Sequence, residues 1–167
     1  MRFSVLGIGI ILGAAIQATW LANINLPGMV KPDLIFVMVI SYGLLRGPDE
    51  GTLFGLIAGF FLDLLSGGVI GIGALIKMVA GFSAGLMEKV IFKDNLLIPA
   101  IAAFFGTIIF ELLNLLMHLS FKSHFNFGYT LLYSILPLAV YNTLVAPVIY
   151  HFLLKLEHFL LERNNSM

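Results

Sequence analysis

Six apolar segments, separated by short polar stretches, account for most of this 167-residue chain. They cover residues 3–22, 34–45, 51–65, 72–87, 96–119 and 129–154, and a polar tail follows at residues 155–167. A helix needs about 20 apolar residues to cross the hydrocarbon core of a bilayer, and the first, fifth and sixth segments reach that length. The pattern predicts an all-α integral membrane protein with a single domain of six transmembrane helices over residues 1–167.

The composition excludes several other classes of protein. Hydrophobic residues make up 60% of the chain, charged residues only 11%, and the mean hydropathy is +1.04, so too few charges exist to cover the surface of a water-soluble domain. The net charge is zero and no basic cluster is present, which argues against binding of nucleic acid. The absence of cysteine excludes disulfides, iron–sulfur clusters and thiolate metal sites.

The second and third segments are shorter than a usual span. They could form a re-entrant pair, or they could cross fully if flanking residues extend the helices and the bilayer thins locally. The stretch at residues 46–50 that connects them carries three charges, which would be costly at a re-entrant tip inside hydrocarbon. We therefore expect two full crossings.

The distribution of basic residues predicts the orientation in the membrane. No small-x-small cleavage site follows the first segment, so we expect it to be retained as a helix. With the amino terminus inside, six Lys and Arg residues face the cytoplasm and only two face outward, which places both termini in the cytoplasm. The inner group is Arg2, Arg46, Lys89, Lys93, Lys155 and Arg163, and the outer group is Lys31 and Lys122.

Two ladders of small residues mark the third and fourth segments. Glycines recur every fourth residue and so lie along one helix face, which favours close helix packing in lipid. The first ladder is Gly51, Gly55 and Gly59, leading to Asp63, and the second is Gly73, Lys77, Gly81 and Gly85. A hairpin about Val69 would bring Asp63 and Lys77 to one depth, where the two charges can neutralise each other. We expect this pair to be structural, with an ion or proton relay as the alternative.

A polar stripe lies in the fifth segment. Glu111, Asn114 and His118 are spaced to share one helix face. The stripe could dock a helix of another membrane protein, or join an internal hydrogen-bond network with Tyr141 and Asn142; the alternative is a ligand or transport site. We favour interaction or a network.

No catalytic, cofactor-binding or metal-binding constellation is present in the sequence. The four histidines lack the spacing of a metal site, and no serine–histidine–acid set or phosphate-binding loop can be found. Asp33 precedes the second segment, where a carboxylate is favoured by the positive end of a helix. We expect a protein that is not an enzyme and that needs no cofactor.

Several short motifs together resemble one family. The motifs that carry the resemblance lie between residues 32 and 85 and are Pro32-Asp33-Leu34, Leu44-Leu45-Arg46-Gly47-Pro48, Gly55 to Gly59, Asp63-Leu64-Leu65-Ser66-Gly67-Gly68 and Gly71 to Gly73. In this order they are similar to the MreD family of rod shape-determining proteins. The length and the six-segment layout are also similar to that family.

The resemblance implies a membrane scaffold of the bacterial cell-elongation complex, located in the cytoplasmic (inner) membrane and without catalytic residues. The expected partners are MreC, which has a single transmembrane helix, then RodA with its penicillin-binding transpeptidase, and the filament protein MreB. The resemblance also implies a six-helix fold similar to the substrate-binding subunits of energy-coupling-factor transporters. The alternative function is therefore a membrane subunit that binds a vitamin-type small molecule for transport.

Overall fold

Helices dominate the described residues, and no strand occurs among them. A computed structural model describes residues 2–19, 30–67, 69–90, 95–119 and 127–165. The helices are α1 (Arg2–Thr19), α2 (Leu34–Arg46), α3 (Pro48–Ser66), α4 (Ile72–Leu86), α5 (Leu97–Leu119), α6 (Phe127–Thr130) and α7 (Leu136–Asn165). A 3₁₀ turn at Glu88–Val90 follows α4, and a π-helical segment at Leu131–Ile135 makes α6 and α7 continuous. The prediction of an all-α protein is confirmed, with six long helices when α6 and α7 are counted together.

The short helix α2 lies at the centre of the bundle. It contacts α1, α3, α4, α5 and α7, and between Ile35 and Leu45 every residue except Met38 is buried. A helix that is apolar on all sides is typical of such a position. Its 13 residues give a length of only about 20 Å. The second apolar segment can therefore be short, because its helix is surrounded by other helices.

One residue separates α2 from α3. Gly47 has a φ of 89°, a left-handed conformation that glycine adopts without strain. Pro48 follows at the first position of α3, where its missing N–H costs nothing. Asp49 and Glu50 occupy the first turn of α3, where the helix dipole favours acids. The polar stretch predicted as a connection therefore consists of two helix ends, and α3 begins three residues before the predicted segment.

Helix α3 and helix α4 form the most intimate pair in the bundle. A Cβ atom on Gly59 would lie 2.6 Å from the Cα atom of Ala74, and one on Gly51 would lie 2.5 Å from the carbonyl oxygen of Gly81. A Cβ atom on Gly55 would overlap the carbonyl group of Lys77. Because no side chain fits between them, the two backbones are in direct contact over the length of the glycine ladders.

The outer surface of the bundle is apolar. Leu144, Val148 and Phe152 of α7 are 69%, 70% and 67% exposed, and Ile101 and Phe105 of α5 are also more than half exposed. Two helices, Leu97–Met117 and Phe127–Phe159, are long and apolar enough to cross a membrane. Such a large exposed apolar surface is unusual for a soluble monomer and is typical of a membrane protein. Helix α7 also continues through most of the predicted polar tail.

We predict that Gly55→Ala destabilises the protein by about 1–3 kcal/mol, because the added methyl group must push α3 away from the backbone of α4. The measurement is thermal or denaturant unfolding of the purified protein in detergent. Gly7→Ala in α1 is the matched control, since a Cβ atom there meets nothing within 4 Å and alanine favours helix. Equal stability of Gly55→Ala and the parent protein would contradict the close contact.

Candidate functional site

A polar cluster is centred on Asp33 at the amino-terminal end of α2. One carboxylate oxygen of Asp33 accepts a hydrogen bond of 2.9 Å from the backbone N–H of Phe36 and so caps α2. The other oxygen lies 3.3 Å from the Nζ atom of Lys77 on α4. The two side chains are only 21% and 12% exposed. Asp33 therefore joins a helix cap and an ion pair in a single residue.

The cluster continues into α7 and α5 through a buried amide. The backbone N–H of Asp33 donates to the Oδ1 atom of Asn142 at 2.9 Å, and the Nδ2 group of Asn142 donates to the hydroxyl oxygen of Thr107 at 3.0 Å. The hydroxyl of Thr107 donates in turn to the carbonyl oxygen of Ala103. Asn142 and Thr107 are both buried. Buried polar groups need partners. This series of hydrogen bonds, with the Asp33–Lys77 ion pair, therefore holds α2, α4, α5 and α7 in one arrangement.

The structure corrects the predicted pairing of Asp63 with Lys77. The Oδ2 atom of Asp63 accepts hydrogen bonds from the backbone N–H groups of Gly71 at 2.8 Å and Ala74 at 3.1 Å. These N–H groups begin α4 and have no partner within that helix. Gly73 leaves room for the carboxylate, because a Cβ atom there would collide with Asp63. Asp63 thus caps α4, and Lys77, one turn further along, reaches Asp33.

A second polar cluster surrounds Arg46 at the other end of α2. Its guanidinium group pairs with Glu50 of α3 at 2.7 Å and with Glu157 of α7 at 2.8 Å. The hydroxyl of Tyr42 donates to Glu50 at 2.6 Å. The hydrogen bond to Glu50, and after it the one to Glu157, raise the pKa of Arg46 further above its ordinary value, although burial acts in the opposite direction. Arg46 therefore stays charged and holds α2, α3 and α7 together.

Two residues of the predicted polar stripe on α5, Glu111 and Asn114, contact each other. The amide of Asn114 donates to a carboxylate oxygen of Glu111 at 3.4 Å, a long hydrogen bond. Asn142, which was predicted as a partner in the same network, instead bonds to Asp33 and Thr107. His118 lies in α5, but its side chain is outside the described residues.

The motif residues lie mainly at helix ends. Pro32 is buried next to Asp33, and Gly47 and Pro48 form the α2–α3 junction beside Arg46. In the motif at residues 63–68, the hydroxyl of Ser66 donates to the carbonyl oxygen of Asp63 at 3.3 Å, and Gly67 ends α3 with a φ of 64°. Gly68 lies outside the described residues. The motifs therefore surround the two ends of α2 and the turn after α3.

Sequence patterns did not indicate Thr107 or Glu157 as members of these clusters, and they indicated Asn142 only as a partner of the stripe on α5. Thr107, Asn142 and Glu157 have no distinctive neighbours in the chain, and only the packing of distant helices brings them to Asp33 and Arg46. Polar residues within the fifth and sixth apolar segments were the available signal, but several occur in each segment and the sequence does not show which of them meet. Among the described residues, no group of three metal-binding side chains occurs.

Comparison with known proteins identifies the family. A family model described as rod shape-determining protein MreD matches residues 1–160 of the 167-residue chain. The chain belongs to the MreD family. The match confirms the resemblance carried by the motifs, and it extends well beyond residues 32–85. Searches of curated proteins and of solved structures found no match.

Membership of the MreD family implies a role in determining rod shape. The family is a shape-determining one and is not known as a family of enzymes. With the apolar helices α5 and α7, membership also indicates a membrane protein.

We predict that Asp33 and Lys77 are energetically coupled and that Asp63 and Lys77 are not. In double-mutant cycles on the purified protein, Asp33→Asn with Lys77→Gln should show a coupling of about 0.5–3 kcal/mol in unfolding free energy. The cycle of Asp63→Asn with Lys77→Gln is the control and should be additive within about 0.5 kcal/mol. The reverse result would restore the pairing predicted from the sequence.

Proposed function

We propose that this protein is a non-enzymatic scaffold of the bacterial cell-elongation complex, embedded in the cytoplasmic membrane, which helps to control side-wall peptidoglycan synthesis. The observation that carries the proposal is the match to the MreD family over residues 1–160. The internal polar groups support a structural role, because Asp33, Lys77 and Asp63 are engaged in pairs and caps.

The proposed topology has six crossings and both termini in the cytoplasm. The excess of Lys and Arg on one side supports this orientation, which places the Arg46 cluster near the cytoplasmic surface. The 19 residues of α3 give a length of about 28 Å, close to the ~30 Å of a hydrocarbon core. The shorter α2 is enclosed by other helices, so its length need not match the bilayer. These features favour crossings over a re-entrant pair.

The proposed partner within the membrane is the transmembrane helix of MreC. Short connections leave little surface outside lipid, so partners must be met largely within or beside the bilayer. Glu111 and Asn114 supply polar groups on α5, and such groups can hydrogen-bond across helices in a membrane. Through MreC, the scaffold would connect to RodA with its transpeptidase, and to MreB.

The transporter alternative receives no support from the comparisons. It would need a polar pocket that includes the stripe on α5. Two cavities among the described residues, a groove between α4 and α5 and a slot between α1 and α3, are not lined by Glu111 or Asn114. We therefore propose the scaffold role alone.

The proposal predicts that depletion of this protein makes rod-shaped cells wider and finally round. The reason is that side-wall synthesis would lose its localisation when the scaffold is missing. Cell width and the pattern of labelled new wall are the measurements, and re-expression of the parent chain is the control. Normal rods with ordered wall insertion after complete depletion would overturn the proposal.

For the stripe, we predict that Glu111→Leu leaves the protein folded but reduces co-purification of MreC at least fivefold. Leucine removes the carboxylate that a partner helix would bond. It also removes the acceptor for Asn114, so the amount of folded variant is compared with that of the parent protein before MreC is scored. Leu113→Ala, a substitution at an exposed position on the same helix, is the control and should retain MreC. Full retention of MreC by Glu111→Leu would exclude the stripe as the interface.

A further inference from the structure

A lateral groove runs between α4 and α5. The two helices pack loosely against each other, whereas α4 is tightly joined to α3 and α5 to α7. The groove has a volume of about 430 Å³, and Ile40 of the central helix α2 forms part of its floor. It opens on the apolar outer surface of the bundle, beside the exposed Ile101 and Phe105.

Small residues on both walls create this groove. Ala80 and Ala84 line the α4 side, and Ala102 and Gly106 line the α5 side. A Cβ atom on Gly106 would come within 2.8 Å of the Cδ1 atom of Ile40, so the backbone of α5 lies directly against Ile40 at that point. The one hydroxyl in the lining, that of Ser83, donates to the carbonyl oxygen of Val79 in its own helix. The groove therefore suits a hydrocarbon chain.

The dimensions favour a single chain over a helix. Along α5 the groove extends from Ile98 to Phe110, which is about 18 Å at 1.5 Å per residue. That is close to one leaflet, about half of a ~30 Å hydrocarbon core. A spanning helix is ~10 Å wide and about 30 Å long, so it is longer than the groove and most of it would remain outside.

A positive charge lies near one end of the groove. Met87 and Ile98 line this end, where α4 finishes and α5 begins. Lys89 follows in the 3₁₀ turn and is exposed. The neighbouring Glu88 lies against the α2–α3 junction, because its Oε2 atom is 3.8 Å from where a Cβ atom of Gly47 would be. The ammonium group is therefore available to an anionic head group at this end.

We propose that the groove binds one acyl chain of an anionic phospholipid from the cytoplasmic leaflet, with the phosphate group at Lys89. The assignment of the leaflet rests on the orientation given under Proposed function. Anionic lipids are concentrated in that leaflet, and basic residues at its surface attract them. The bound chain would fill the gap between α4 and α5 and join the α3–α4 pair to the α5–α7 pair.

The test uses the full chain in lipid nanodiscs with phosphatidylglycerol that carries a diazirine on one acyl chain. After photolysis, mass spectrometry maps the labelled peptides. We expect adducts concentrated on the α4 and α5 residues that line the groove, and at least threefold fewer with the same probe built on phosphatidylcholine. Ser83→Phe fills the groove and should reduce labelling at least fivefold, whereas Leu86→Phe, at an exposed position outside the lining, should not.

Lys89→Glu should abolish the preference for phosphatidylglycerol, and Lys155→Glu, at another exposed lysine, should preserve it. Labels spread evenly over all exposed apolar faces would overturn the proposal. So would labelling of Ser83→Phe at the parental level, since the filled groove would then not be where the acyl chain binds. The assay contains only protein and lipid, so its failure leaves the shape-determining role intact, and failure of that role leaves the labelling unchanged.

Discussion

The ion pair between Asp33 and Lys77 is the interaction on which the arrangement of the bundle most depends. Asp33 caps α2, pairs with α4 and contacts α7 through its backbone, so several helix positions are defined at one point. Removing one member of this largely buried pair leaves a charge without compensation, which costs more than the loss of an exposed surface pair, worth about 0–1 kcal/mol. Arg46 has the same function at the opposite end of α2. A short central helix is thus fixed by charge at both ends and by apolar packing between them.

The contact between α3 and α4 complements this arrangement. In lipid there is little hydrophobic drive between helices, so close packing and hydrogen bonds must supply the stability. The glycines allow the backbones of α3 and α4 to touch, and Asp63 caps α4 from the end of α3. Gly43 of α2 faces the same surface, because a Cβ atom there would lie 2.6 Å from the carbonyl oxygen of Gly81. These three helices form the compact part of the molecule, against which α5 and α7 pack.

Local patterns predicted much of the fold, and distant contacts were harder to infer. The apolar segments indicated the helices, and the resemblance to the MreD family was confirmed by a match over residues 1–160. The predicted pairing of Lys77 with Asp63 was wrong. Two residues at equal depth in a hairpin need not pair, because the long lysine side chain can reach another acid, here Asp33. The N–H groups that begin α4 bind Asp63 instead. The charged stretch at residues 46–50 was predicted as a connection, but it forms the end of α2 and the start of α3. The reason is that Pro48 can begin a helix directly after Gly47.

The most direct test of a scaffold with structural polar clusters compares shape with the amount of folded protein. Variants at Asp33, Lys77, Asn142 and Arg46 would be expressed in place of the parent chain. Cell width would then be plotted against the level of folded protein in the membrane. We expect all variants to fall on one curve, so that shape is lost only as folded protein is lost. A variant that is folded at the parental level, yet produces round cells, would contradict it and would indicate that a buried group takes part in chemistry.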